Sequence, residues 1–183
     1  MDVFLIRHTS VNVEKGLCYG HADIDVAPTF DLEVEQIKNQ LPNNIEQVFS
    51  SPLLRCTKLA DALNFKSYQL DHRLKEMNFG GWEGKLWDEI NPDELNPWMA
   101  DFINVRTPNG ENLKDLHNRV GEFIAELRGS NHKNIAILTH AGVIRSFYSH
   151  VLDIPLNNIF KISVNYGDVL KIKLGESSDY DHI

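Results

Sequence analysis

Apolar positions along this chain fall into two kinds of run that alternate. Short β-rich stretches occupy Val3 to Ile6, Gln47 to Ser50 and Ile135 to Leu138, with a weaker one from Ser67 to Leu70. Phe160 to Val164 and Val169 to Leu174 read as two more strands, joined through Tyr166-Gly167-Asp168 as a hairpin-like turn. Between the strands, apolar residues recur at helical spacing. Phe30, Val34, Ile37 and Leu41 give the first stripe. Pro52 opens a second helix with Leu53, Leu54, Leu59, Ala60 and Leu63 on its inner side, proline being a normal first-turn residue. Asn112, with Asp115 three residues on, caps a third helix. Its stripe is Leu113, Leu116, Val120, Phe123, Ile124 and Leu127, and Gly129 ends it. A fourth helix begins after Gly142 and ends before Pro155. Strands alternating with helices predict an α/β fold of three layers, a central, mostly parallel sheet flanked by helices. No repeat, linker or low-complexity tract interrupts residues 1–183, so a single domain is expected.

In such sheets ligands sit beyond the carboxyl ends of the strands. The first strand ends in Arg7-His8. The second ends in Ser50-Ser51-Pro52, with Arg55 one turn into the next helix. The third ends in Thr139-His140-Ala141-Gly142. Taken singly, each is an ordinary residue: a polar strand end, a loop-bonded histidine, a solvated helix arginine. Together they deliver two arginines and two histidines to one sheet edge. Arginine presents a fork of donors that suits phosphate oxygens. A helix starting near Gly142 adds backbone N–H groups. A neutral histidine among cations has a free nitrogen that can attack phosphorus, and a second can donate to the oxygens where charge builds up. A leaving alkoxide also needs a proton. Glu76 and Glu83 lie in a glycine-rich segment with Phe79 and Trp82. Glu76 is the better general acid, against a salt bridge with Arg73 or Lys75, and Glu83 the more structural residue.

Charge changes this picture in one respect. Lys plus Arg total 18 against 26 Asp plus Glu, a net charge of −8, which excludes attraction to a nucleic-acid backbone. It leaves room for a small anion held by local arginines, since surface charge is screened over about 8 Å at physiological salt. The hydrophobic content of 42% excludes a mostly unfolded chain. No apolar run approaches the roughly 20 residues of a membrane span, and the N-terminus lacks a signal-peptide pattern. A cytoplasmic protein with Cys18 and Cys56 as free thiols is expected.

Five blocks in order resemble the histidine phosphatase superfamily, the phosphoglycerate-mutase-like proteins. They are Arg7-His8-Thr9, Ser50-Ser51-Pro52-Leu53-Leu54-Arg55, Leu74-x-Glu76-x-x-Phe79-Gly80-x-Trp82-Glu83-Gly84, Pro108-x-Gly110-Glu111 and Thr139-His140-Ala141-Gly142-Val143-Ile144-Arg145. The resemblance covers nearly the whole chain. It implies His8 as a phosphorylated nucleophile, Arg7, Arg55 and His140 as the phosphate pocket, and Glu76 as proton donor and then base. It implies no metal and no cofactor. Two positions depart from the family pattern. Thr9 stands where glycine is usual, and Glu14 stands near where an asparagine faces the phosphate. Glu14 is expected to point away, with Thr9, Ser10 or Asn12 supplying the missing hydrogen bond. Arg7-His8-Thr9 followed by Gly16-Leu17-Cys18-Tyr19-Gly20-His21-Ala22-Asp23 is most similar to the α-ribazole phosphatase branch, which acts late in cobalamin assembly.

The expected partners are a small phosphomonoester and inorganic phosphate, with no membrane and no nucleic acid; oligomeric state is not readable. A helical insert at about 84–110, with Trp87, Trp98, Met99 and Phe102, is expected to cap the substrate. Trp82, Trp98 and Ala141 join the candidate substrate-binding residues, although any one such aromatic is more often core. The alternatives are a broad sugar-phosphate phosphatase, a phosphoglycerate mutase, a protein phosphohistidine phosphatase and a phosphate-binding module without turnover. A metal hydrolase using His8, His140 and Glu76 is disfavoured by the adjacent arginines. The segment Ser177 to Ile183 reads as a solvated tail.

Overall fold

A computed structural model describes residues 1–175. The expected tail from Ser177 to Ile183 lies outside the described residues. Five strands form one sheet in the order β3-β2-β4-β1-β5. They are β1 (Asp2–Arg7), β2 (Gln47–Ser50), β3 (Gln69–Leu70), β4 (Asn134–Thr139) and β5 (Val169–Lys173). β1, β2, β3 and β4 run parallel, and β5 is antiparallel to β1 at the edge.

The period-two alternation of the central strands sends side chains to two cores. Val3, Leu5, Ile135 and Ile137 pack with α4 (Leu113–Arg128) and α5 (Ala141–Leu152). Ile6, Val48, Ala136 and Leu138 pack with α1 (Phe30–Lys38) and α2 (Leu54–Ala62). Each fully buried Leu or Ile contributes roughly 1.5–3 kcal/mol, so the two apolar faces hold the three layers together. The expected stripe of α4 is buried in full, and Asn112 and Asp115 form a reciprocal capping box. Cys18 and Cys56 are free, buried thiols.

Several boundaries differ from expectation: α1 ends at Lys38 rather than Leu41, and β3 is only Gln69–Leu70. Helix α2 starts at Leu54, not Pro52. Leu53 is extended, and the Leu54 N–H is taken by the Asp23 carboxylate at 2.6 Å. Helix α5 starts at Ala141, one residue before Gly142. The segment Phe160 to Val164 is not a strand, so Tyr166-Gly167-Asp168 joins no hairpin. Pro155 instead leads into a 3-10 turn over Leu156–Lys161, and the residues after it run as a loop. The backbone of that loop serves arginines: the Ile162 carbonyl accepts from Arg145 and the Val164 carbonyl from Arg7. Residues 84–110 hold a 3-10 turn at Trp87–Glu89 and one short α-helix, α3 (Pro92–Ala100), capped by Asn91.

Candidate active site

Register decides which residues meet. Arg7 of β1 pairs with Thr139 of β4, so His8 and His140 leave adjacent strands side by side. Their ring centroids are 5.1 Å apart. Both imidazoles are buried. His8 Nδ1 lies 2.8 Å from the Thr9 carbonyl oxygen. A carbonyl only accepts, so Nδ1 carries the hydrogen and the Nε2 lone pair is free. Burial, and then the charges of Arg55 and Arg7, hold the His8 imidazole well below the ordinary histidine range. A neutral ring with a free Nε2 is the state a nucleophile needs.

Arg55 is also fully buried. Its Nε donates to His140 Nδ1 at 3.3 Å, and its two terminal nitrogens donate to the carbonyls of Ala22 and Gly20 at 2.9 and 2.7 Å. These bonds use three of five guanidinium hydrogens and leave two for a ligand. Arg7 gives one terminal nitrogen to the Val164 carbonyl, while its Nε is buried without a partner. A buried orphan donor on a cation fits an anion that would complete it. His140 differs from expectation. Its Nε2 meets the Ser51 hydroxyl at 2.8 Å while Nδ1 accepts from Arg55, so both ring nitrogens bind protein atoms. Burial and the Arg55 charge keep this ring neutral as well, and it orients Arg55.

Glu76 reaches the same place from the loop after a 3-10 turn at His72–Leu74. Its Oε2 accepts from the Gly142 N–H at 3.1 Å and its Oε1 from the Met77 N–H at 3.0 Å. Arg119 of α4, which the sequence reading missed, fixes this loop. It donates to the carbonyls of Arg73, Lys75 and Glu76 and forks onto both oxygens of Glu111. All five guanidinium hydrogens are used, which gives the Pro108-x-Gly110-Glu111 block its physical purpose. Glu83 ties loops together as expected, accepting from the N–H groups of His21, Ala22 and Phe79.

Arg7, His8, Arg55 and Glu76 line a cavity of about 410 Å³. The rest of its wall is mainly apolar: Leu17, Met77, Phe79, Trp87, Trp98 and Phe160 among others, with Tyr19 and Arg145 as further polar groups. Another hollow of about 470 Å³ sits at the opposite ends of the strands, near Met1 and Lys133, away from the histidines.

The remaining candidates divide. Trp98 faces the cavity. Trp82 does not: its indole is buried in the core and its Nε1 donates to Glu94 at 2.9 Å. Ala141 is buried at the start of α5. Thr9 is fully buried with an unpartnered hydroxyl, Ser10 gives its N–H to Glu33, and Asn12 is exposed; none of the three lines the cavity. Glu14 is exposed, as expected. Tyr19, Tyr166 and Arg145 surround the site although none is among the site residues expected from sequence; Tyr19 and Arg145 lie in blocks that carry the resemblance, and Tyr166 reads there only as part of a turn.

A family model described as the histidine phosphatase superfamily (branch 1) matches residues 3–179. The chain belongs to the histidine phosphatase superfamily. Several relatives carry phosphatase names, one of Arabidopsis thaliana is named phosphoglycerate mutase-like protein 4, and this chain is a phosphatase, a hydrolase. A protein of Hydrogenobacter thermophilus provisionally named phosphoserine phosphatase 2 is 28% identical over 96% of this chain and 91% of its own. An adenosylcobalamin/alpha-ribazole phosphatase of Escherichia coli is 28% identical over 91% of this chain and 87% of its own. The crystal structure of an alpha-ribazole phosphatase from Shigella flexneri superposes with a TM-score of 0.88 at 25% identity, covering 94% of this chain and 90% of that one. Among the described residues no helix is long and apolar enough to cross a membrane, and no group of three or more metal-ligating side chains occurs.

Proposed function

We propose that this histidine phosphatase hydrolyses its ester through a phosphohistidine at His8, and that its substrate is α-ribazole 5′-phosphate, as in cobalamin assembly. The observation that carries the reading is one cavity lined both by cations and by aromatic rings. Arg7, Arg55 and the neutral His8 line it together with Phe160 and with Phe79, Trp87 and Trp98, whose rings contact one another. The phosphate takes the free guanidinium hydrogens. His8 Nε2 attacks phosphorus, the P–N bond forms, and the ester P–O bond breaks while Glu76 gives its proton to the leaving oxygen. The Glu76 carboxylate then takes a proton from water. The water oxygen bonds to phosphorus, the P–N bond breaks, and inorganic phosphate leaves with His8 neutral again. His140 holds Arg55 in place through these steps. Residues 84–110 supply Trp87 and Trp98 as a wall for a planar apolar base.

The second reading is a phosphoserine phosphatase. Arg145 favours it, because a cationic side chain in the cavity suits a substrate carboxylate. The aromatic majority of the wall favours the apolar base. Hydrolysis of p-nitrophenyl phosphate with and without EDTA, for the parent and His8→Ala, tests the chemistry. Activity that survives EDTA and is lost in His8→Ala is expected. Loss with EDTA would overturn the phosphohistidine route. Comparison of kcat/KM for α-ribazole 5′-phosphate, O-phosphoserine and 3-phosphoglycerate tests the substrate. Equal or faster turnover of either small acid would sink the α-ribazole assignment.

A further inference from the structure

The loops that hold Arg7 and Arg55 are joined by side chains 147 positions apart: the hydroxyls of Tyr19 and Tyr166 lie 2.6 Å from each other. Tyr19 precedes Gly20 and Ala22, whose carbonyls hold Arg55. Tyr166 lies between Val164, whose carbonyl holds Arg7, and Gly167, whose N–H donates to the His8 carbonyl. The Tyr166 ring stacks on Arg7, 3.9 Å from the guanidinium carbon, and its centroid is 5.5 Å from that of His8. The Tyr19 ring is 5.4 Å from the Arg55 guanidinium carbon. The phenol pair therefore spans from one guanidinium to the other.

Two hydroxyls carry two hydrogens, and the bond between them uses one. Burial, then the bond with Tyr166, pushes the Tyr19 phenol up, so it keeps its proton at neutral pH. The side chains that follow His8 in sequence leave the phosphate end short of a donor, since Thr9, Ser10 and Asn12 line no part of the cavity. Tyr19 does line it.

We propose that Tyr19 and Tyr166 form a phosphate clasp, in which one phenol fixes the other across the site and the remaining hydroxyl hydrogen is donated to a phosphoryl oxygen held by Arg7 and Arg55. The clasp rests on the phosphatase reading above and adds to it a binding group from each arginine-holding loop. It also links the two loops across the site through their side chains.

The test is competitive inhibition by inorganic phosphate, with p-nitrophenyl phosphate as reporter, for the parent, Tyr19→Phe, Tyr166→Phe and the double variant. Each substitution removes one oxygen and keeps the ring, so the melting temperature should stay unchanged. Each single variant should raise the inhibition constant for phosphate roughly tenfold, the scale of one hydrogen bond to a charged group. The double variant should add little to either, since the two hydroxyls act through one shared bond. Inhibition constants within twofold of the parent in both single variants would overturn the clasp and leave the phosphohistidine route standing. Fully additive effects would also overturn it, by showing two separate contacts. A parent that neither turns over ester nor binds phosphate would overturn the phosphatase reading beneath it.

Discussion

The backbone N–H of Gly142 donates to the carboxylate of Glu76 over 3.1 Å, so the first turn of α5 holds the residue proposed as general acid. This contact explains the missing side chain. A Cβ added at Gly142 would land on Oε1 of Glu76 and press on Leu116. Gly142→Ala should therefore displace the carboxylate while leaving α5 intact, since alanine favours a helix over glycine by roughly 1 kcal/mol. The expected result is a loss of about tenfold to a hundredfold in kcat on alkyl phosphates, part of the 10²–10⁴ that acid catalysis supplies. A steady-state assay checks it. Unchanged kcat would mean that Glu76 tolerates displacement and is not the acid.

Glu76→Gln keeps the shape but cannot give a proton, and its one amide oxygen can accept from only one of the two backbone N–H groups, Gly142 or Met77. Its effect should scale with the leaving group. Alkyl esters should slow by about 10²-fold or more, because their alkoxides need protonation. The p-nitrophenyl ester should slow far less in its first step, because nitrophenolate leaves unaided. Equal slowing of both in a burst experiment would count against the assignment.

Much of this site is legible in the sequence, and the reason is geometric. Parallel strands end on one edge, so Arg7-His8, Ser50-Ser51 and Thr139-His140 had to come together once the runs were read as strands. What failed depended on contacts distant in sequence. Trp82 and Trp98 are the same residue type in the same region. Only packing decides that one buries its indole and donates to the exposed Glu94 while the other faces the cavity. Phe160 to Val164 has strand composition, yet β5 already occupies the edge of β1, and the segment's carbonyls are spent on Arg7 and Arg145. Arg119 gave no local signal, since its purpose lies 43 to 46 residues away on the Glu76 loop.

That clamp yields a prediction of its own. Arg119→Lys keeps the charge but not the planar fork or the five donors. Several carbonyls and the Glu111 carboxylate lose their partners. The expected cost is about 2–4 kcal/mol of stability, taking the partly buried pair at less than a fully buried one. Denaturant unfolding measures it. The kcat should fall as well, through a looser Glu76, and loss of stability with kcat unchanged would confine Arg119 to the fold.

The buried histidines set the pH dependence. Burial and then the cations lower the affinity of His8 and His140 for protons, and burial followed by the stacked His150 lowers that of His117 to about 4. The unfolded chain protonates these rings near pH 6.5, the folded chain only at lower pH. Between those values the unfolded state binds more protons, so stability falls as pH drops below about 6.5 and rises with pH through that window. The acid limb of kcat/KM should likewise lie below about pH 6.5, because neutral His8 persists there. Melting temperatures and pH–rate profiles from pH 4 to 8 check both. An acid limb at or above 6.5 would show His8 to be an ordinary, solvated imidazole.

Substrate choice should be separable from chemistry at Phe160. This ring is 56% exposed, meets Phe102 edge-on at 5.0 Å and lies 5.6 Å from the Arg145 guanidinium carbon. It forms part of the apolar wall and packs on Phe102 and Arg145 rather than on His8 or Glu76, so its removal leaves the reacting groups in place. Phe160→Ala should lose one aromatic face for a planar base, a contact of roughly 0.5–1.5 kcal/mol beyond area burial. That corresponds to a rise of about threefold to tenfold in KM for α-ribazole 5′-phosphate. The kcat for p-nitrophenyl phosphate and the KM for O-phosphoserine should stay within about twofold, because the first reports the chemical step and the second carries no ring for Phe160 to pack against. If O-phosphoserine lost affinity as much as the larger ester did, Phe160 would be acting through Arg145 and its carboxylate contact, and the cavity would belong to the amino-acid phosphate instead.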